Sequence, residues 1–189
     1  MSVTPPPASS SDADLQPTTP LRLAVLEIEA HVSTAGWDQP PRLYALVRTA
    51  DLIEREPALA EQLGAALAAE PEGLTTIEQE ALDPQRPLED LLMDIEWPDA
   101  VTGCAVALER LMLPPGAEAD LPEDPTALLE AAAAHPDRQE VRLLAAVTRD
   151  GQRHSAVRAR TPDDAPLLEG PDLVPGLTEA LAHTLTSSD

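Results

Sequence analysis

Four histidines (His31, His135, His154 and His183) and the single Cys104 are the side chains best suited to bind a metal or act as a nucleophile. Their spacing argues against both roles. No two histidines stand at i, i+4, and one cysteine cannot form a C-x-x-C pair. The histidines fall on three expected helices and one expected strand, where His154 alternates with Ala156 and Arg158 and reads as exposed or half-exposed. Cys104 alternates with Val106 and Leu108, so it reads as a small core hydrophobe, whereas a reactive thiol needs an exposed electropositive niche. The chain has no G-x-S-x-G and no phosphate-cradling glycine loop. No catalytic, metal or cofactor-binding residue is therefore assigned.

Carboxylates offer a second chemistry. Glu89, Asp90, Asp94, Glu96 and Asp99 crowd around Trp97. A pair such as Asp94 and Glu96 could do acid–base work or hold a hard cation if burial drove their pKa values apart, and the candidate pocket is one that unites Trp97, Glu96 and Asp99 with an arginine from another strand. In a chain with 34 acids, a solvated helix face and its exit loop is the favoured account of the cluster.

Charge segregation is the feature that most exceeds chance. Between Arg138 and Arg160 stand six arginines against only Glu140 and Asp150, while residues 61–137 hold 18 acids against Arg86 and Arg110. Arg142, Arg149, Arg153, Arg158 and Arg160 form the candidate interaction surface. Their carboxylate partners can come from the chain itself, from a second copy or from a foreign acidic segment, with intramolecular pairing slightly favoured. A twofold homodimer that uses this hairpin is an expectation of the same pattern.

Composition bounds the setting. The formal net charge of −22 opposes nucleic acid and anionic membranes as partners. No apolar run is long enough to span a bilayer, Met1–Pro20 lacks the features of a signal peptide, and a lone cysteine fits a reducing compartment, so the expected location is the bacterial cytoplasm. Phe is absent, leaving an aliphatic core in which Trp37, Trp97 and Tyr44 are the only large aromatic fillers. Both tryptophans are expected to be buried at element junctions.

Residues 1–20, with five prolines and a Ser9–Ser11 run, read as a disordered arm, and 187–189 as a short tail. Residues 21–186 read as one α+β domain. Leu21, Val25, Ile28 and Val32 share a helical face over 21–35. Strands are expected at 42–48, 74–79, 101–113, 140–148 and 152–161, the last two joined by the turn Arg149-Asp150-Gly151. Helices are expected at 51–69 with a break at Pro57, at 88–95, at 125–135 behind an Asp124 cap, and at 172–185. This gives a five-stranded antiparallel sheet with helices mainly on one face, in the order α-β-β-β-α-β-β-α plus short extra helices. The third strand carries Gly103, Ala105 and Ala107 on one parity, a flat floor for packing or docking.

The element order resembles the fold of type III secretion chaperones and their relatives. More locally, Gly36-Trp37-Asp38-Gln39-Pro40-Pro41-Arg42-Leu43-Tyr44-Ala45-Leu46-Val47, Trp97-Pro98, Gly103-Cys104-Ala105-Val106 and Glu109-Arg110 resemble an uncharacterised family of small acidic proteins from high-GC actinobacteria. That resemblance implies an ordered domain and carries no catalytic residues. The expected function is a non-enzymatic interaction or chaperone-like adaptor domain with a protein partner. The alternatives are a small-molecule or metal-dependent enzyme using the carboxylates near Trp97, and a structural subunit of a larger complex.

Overall fold

The computed structural model describes residues 17–63, 71–80, 82–83, 86–114, 116–117 and 121–186. Its elements are α1 (Pro20–Thr34), β1 (Arg42–Arg48), α2 (Thr49–Arg55), α3 (Pro57–Leu63), β2 (Leu74–Glu78), α4 (Leu88–Met93), β3 (Gly103–Met112), α5 (Pro125–Ala134), β4 (Gln139–Thr148), β5 (Arg153–Ala159), β6 (Leu168–Gly170) and α6 (Pro175–Leu185). The strands form one antiparallel sheet in the order β2-β1-β3-β4-β5-β6. It has six strands where the sequence suggested five. Leu168-Glu169-Gly170 is too short to show any alternation, and it is held by pairing to Ser155–Val157.

The helices cover both faces of the sheet, which corrects the one-sided arrangement expected. On one face α1 buries Leu21, Ala24, Val25, Ile28 and Val32 against Tyr44, Leu46, Ala105, Ala107, Leu144, Ala146 and Ala156. On the other, α4 and α6 bury Leu88, Leu92, Leu181 and Leu185 with Trp97 against Leu43, Ala45, Val47, Cys104, Val106, Ala145 and Val147. The central strands are apolar at both parities because both of their faces are covered. Alanines at 105, 107, 146 and 156 make the floor shallow, so α1 can lie close to the sheet. The flat parity of β3 is thus a packing floor over these residues.

Thr19 caps α1 by accepting from the Arg22 N–H at 3.1 Å, and Pro20 sits in its first turn, so the helix begins one residue earlier than expected. The remainder of the expected arm, 1–16, lies outside the described residues, as do 64–69 of the second expected helix and the tail 187–189. The Arg149-Asp150-Gly151 turn joins β4 to β5 with Gly151 at φ +87°, a conformation that favours glycine. No described helix is long and apolar enough to cross a membrane.

At Gly103 the backbone of β4 comes close to β3. A β-carbon placed there would stand 2.5 Å from the Val147 carbonyl oxygen. Gly103→Ala should therefore separate β3 from β4 locally and cost about 1–3 kcal/mol. Urea denaturation of the variant checks this, and an unchanged midpoint would show that the strands yield without penalty.

Candidate functional site

Register places Glu109 on β3 opposite Arg142 on β4, and Arg142 opposite Arg158 on β5, so these side chains form a row across the α1 face of the sheet. Arg142 is 3% exposed. Its guanidinium donates to Glu109 Oε1 at 3.1 Å, to Ser33 Oγ at 3.2 Å and to the Gly36 carbonyl, and it lies 4.4 Å from the centre of the Trp37 ring. Arg158 grips Glu29 of α1 through two bonds of 2.6 and 3.1 Å. Arg160 holds Asp38 through two bonds of 2.9 and 3.0 Å, reaches Glu140 at 2.5 Å, and stacks 5.6 Å from the same Trp37 ring. Gly36 and Asp38, both at positive φ, bend the loop so that Trp37 covers these arginines. Trp37 is half-buried rather than buried, because one side of its ring faces guanidinium groups instead of the apolar core.

A second anchor lies at the other end of α1. Arg22 clasps Glu169 of β6 at 2.5 and 2.8 Å, and His154 Nε2 lies 3.1 Å from the same carboxylate. His154 is buried at 6% exposure, so the exposed or half-exposed position expected for it is corrected. An ion-paired seam on an otherwise apolar face hides polar residues from a reading based on alternation alone.

These carboxylates make the fold sensitive to acid. Burial by itself would raise the Glu29 pKa, but hydrogen bonds from Arg158 and Ser33 and the charges of Arg158 and Arg142 outweigh it and hold the group below its ordinary 4.5. The Arg22 bond does the same for Glu169, against partial burial and with help from His154. A depressed folded-state pKa contributes stability above the unfolded pKa that is lost as pH falls through the folded value. Thermal melts should show a constant contribution from these groups near neutrality and a steep fall below about pH 4.5, blunted in Glu29→Gln.

Arg149 and Arg153 turn toward the opposite face. Arg149 donates to the carbonyls of Val101 at 2.8 Å, Trp97 at 3.1 Å, Pro98 at 3.3 Å and Leu185, tying the β4–β5 turn to the ends of α6 and the Trp97 loop. Arg153 pairs with Asp172 at 3.2 Å. The five arginines thus divide between two faces instead of sharing one, and each has partners within the chain.

The proposed carboxylate pocket does not assemble around Trp97. Trp97 is 8% exposed and donates from its indole N–H to Thr184 Oγ1 at 2.9 Å, beside Cys104, whose thiol is pushed up to about 11 by burial. Glu96 and Asp99 point outward from the same loop and are exposed. Glu96 lines a groove of about 410 Å³ between α4 and α6, with Leu92 and His183 among its walls, and neither Trp97 nor Asp99 lines it. Among the described residues no three His, Cys, Asp or Glu side chains are placed to hold a metal ion.

A surface that the sequence did not single out lies at the far end of β3. Asp124 caps α5 through bonds of 3.1 and 2.9 Å to the Thr126 and Ala127 N–H groups, as its sequence suggested. The helix buries none of its residues. Leu128 and Leu129 are 37% and 69% exposed, and with Leu111 and Met112 of β3 they line a groove of about 740 Å³. The available signal was the pairing of a strongly apolar helix, Ala-Leu-Leu-Glu-Ala-Ala-Ala-Ala, with a flanking sequence that offers no second apolar face to cover it.

No curated protein and no solved structure matches this chain, and nothing found supports the expected likeness to secretion chaperones. A family model described as PPA1309-like protein matches residues 21–186, nearly the whole chain and the same span as the domain read from its sequence. The chain belongs to the PPA1309-like protein family, an uncharacterised family.

Proposed function

We propose that this chain is a non-enzymatic protein-interaction domain, adaptor-like or chaperone-like in kind, which binds a polypeptide in the groove between the end of β3 and α5. The observation that carries the reading is α5 itself. A ten-residue helix of Ala and Leu that buries no residue gains little from its own fold, and its exposed leucines suit a partner. The hairpin arginines support the reading indirectly. Since each is engaged within the chain, their role is to clamp α1, the Trp37 loop and the end of α6 onto the sheet, which leaves the groove as the surface open to a partner.

The test compares wild type with Leu128→Asp/Leu129→Asp in affinity capture from the source organism. Both side chains are exposed, so the variant should melt within about a degree or two of wild type, as expected for surface changes. A defined partner retained by wild type and lost by the variant supports the reading. Equal retention by both proteins, or no partner for either, would sink it. Sedimentation velocity on the same pair reads the competing outcome, a homodimer through this groove, which two chains each carrying −22 would resist.

A further inference from the structure

Resting on that reading, we infer that the occupant of the groove is a cationic polypeptide segment laid along the free edge of β3. Its apolar side chains meet Leu128 and Leu129, and its Lys and Arg side chains meet the acids of the β3–β4 connection. The placement follows from the ladder. Pairing of β1 with β3 ends at Arg42 and Ala107, while β4 continues alongside β3 as far as Met112. Beyond Ala107, β3 therefore has, among the described residues, a partner strand on one side only. Arg110, Leu111 and Met112 of β3 and Leu113 just beyond it line the groove, so residues of both parities contribute, as a groove along the strand edge requires. A strand edge with unpaired backbone groups is a template for an extended peptide.

The opposite wall is apolar, formed by Leu128, Leu129 and Ala132 of α5. Charge then selects the partner. Among the described residues of 114–137 stand Glu123, Asp124, Glu130 and Asp137 and no Lys or Arg. Glu123 lines the groove, and none of the ion pairs among the described residues involves Glu123, Asp124, Glu130 or Asp137. On the wall itself Arg110 and Glu123 balance one another, and the acids that flank it, Asp124, Glu130 and Asp137, tip the surroundings negative. An acidic frame around an apolar floor attracts a segment that mixes Leu or Val with Lys or Arg, and it repels an acidic one, including a second copy of this chain.

The experiment uses two synthetic dodecapeptides with Leu and Val at alternate positions, one with Lys and one with Glu between them, titrated by fluorescence anisotropy. The Lys peptide should bind wild type at least tenfold more tightly than the Glu peptide, and Glu123→Lys/Glu130→Lys should weaken it at least fivefold. Leu128→Asp/Leu129→Asp separates the groove from bulk charge. That variant is more acidic, so attraction to the general surface would tighten binding, whereas seating in the groove predicts its loss. Amide exchange should slow at Arg110–Leu113 when the Lys peptide is bound. Undiminished binding to Leu128→Asp/Leu129→Asp, or binding without protection of that edge, overturns the inference. Preferential binding of the Glu peptide in the groove rejects the cationic occupant while leaving the interaction reading standing. Failure of both peptides also rejects the inference, and the capture experiment then decides the interaction reading by itself.

Discussion

Trp97→Ala should destabilise the fold by about 3–5 kcal/mol, the range for removing a buried aromatic side chain, and it should do so without touching any binding in the β3–α5 groove. Trp97 is 8% exposed and packs in the cluster formed by β1, β3, β4, α4 and α6. This core has no phenylalanine to flow into the space left behind. The loss also removes one donor from Thr184, whose hydroxyl accepts the indole N–H at 2.9 Å while donating to the Leu181 carbonyl at 2.7 Å. Thr184→Val removes the acceptor and should cost less, about 1–3 kcal/mol, through the orphaned indole N–H. Glu96→Gln and Asp99→Asn, being exposed, should stay within about 0.5 kcal/mol. Urea denaturation followed by circular dichroism measures all four. A Trp97→Ala protein within about 1 kcal/mol of wild type would show that the loop is dispensable and reopen the case for Trp97 as a recognition residue.

The parts of this fold that could be read from the sequence are those whose signal is local. α1 announces itself through Leu21, Val25, Ile28 and Val32, all buried as the spacing requires. The β4–β5 hairpin is written in Asp150-Gly151, and the start of α5 in Asp124 and Pro125. Layering is a different matter, because β1 and β3 are apolar at both parities and alternation cannot say which helix covers which face. β6 escaped for want of length. The arginine row was visible as a run of charge, yet its partners Glu29, Asp38, Glu109 and Asp172 are scattered through the chain and meet only by folding. The same holds for the groove, since Leu111 and Leu128 become neighbours only when the connection after β3 folds back over the end of the strand.

Charge that looked like an interaction surface is mostly internal scaffolding, and this has a functional consequence. With Arg22, Arg42, Arg142, Arg153, Arg158 and Arg160 paired to carboxylates of the same chain, the acids left without ion pairs dominate what an approaching molecule meets. Positive charge holds the layers together, and negative charge faces outward. Steering by that outward field favours cationic partners and falls off with salt, so association rates should be more sensitive to ionic strength than the lifetimes of any complex formed.

Arg142 is where this scaffolding can be tested most sharply, and Arg142→Ala should cost about 3–5 kcal/mol, as expected when one partner of a buried ion pair is removed. The guanidinium ties three segments to β4: Glu109 on β3, Ser33 near the end of α1, and the loop that supplies both the Gly36 carbonyl and the Trp37 ring stacked over it. Truncation leaves the Glu109 carboxylate with only the Asp38 and Gln39 N–H groups, at 2.7 and 3.3 Å, in place of its arginine and opens a void beneath Trp37. Arg142→Met separates the contributions, because it restores much of the stem packing but no donor. It should recover only part of the stability, and adding Glu109→Gln should recover more by discharging a carboxylate that has lost its counter-charge while leaving an oxygen for the Asp38 and Gln39 N–H groups. Trp37 fluorescence provides a local readout, since loss of the stacked cation should shift its emission while Trp97, on the opposite face, keeps its own. Stability of Arg142→Ala within about 1 kcal/mol of wild type would mean that water replaces the arginine at little cost, as it does for an exposed pair. The row across β3, β4 and β5 would then be decoration on a fold held by its alanine floor alone.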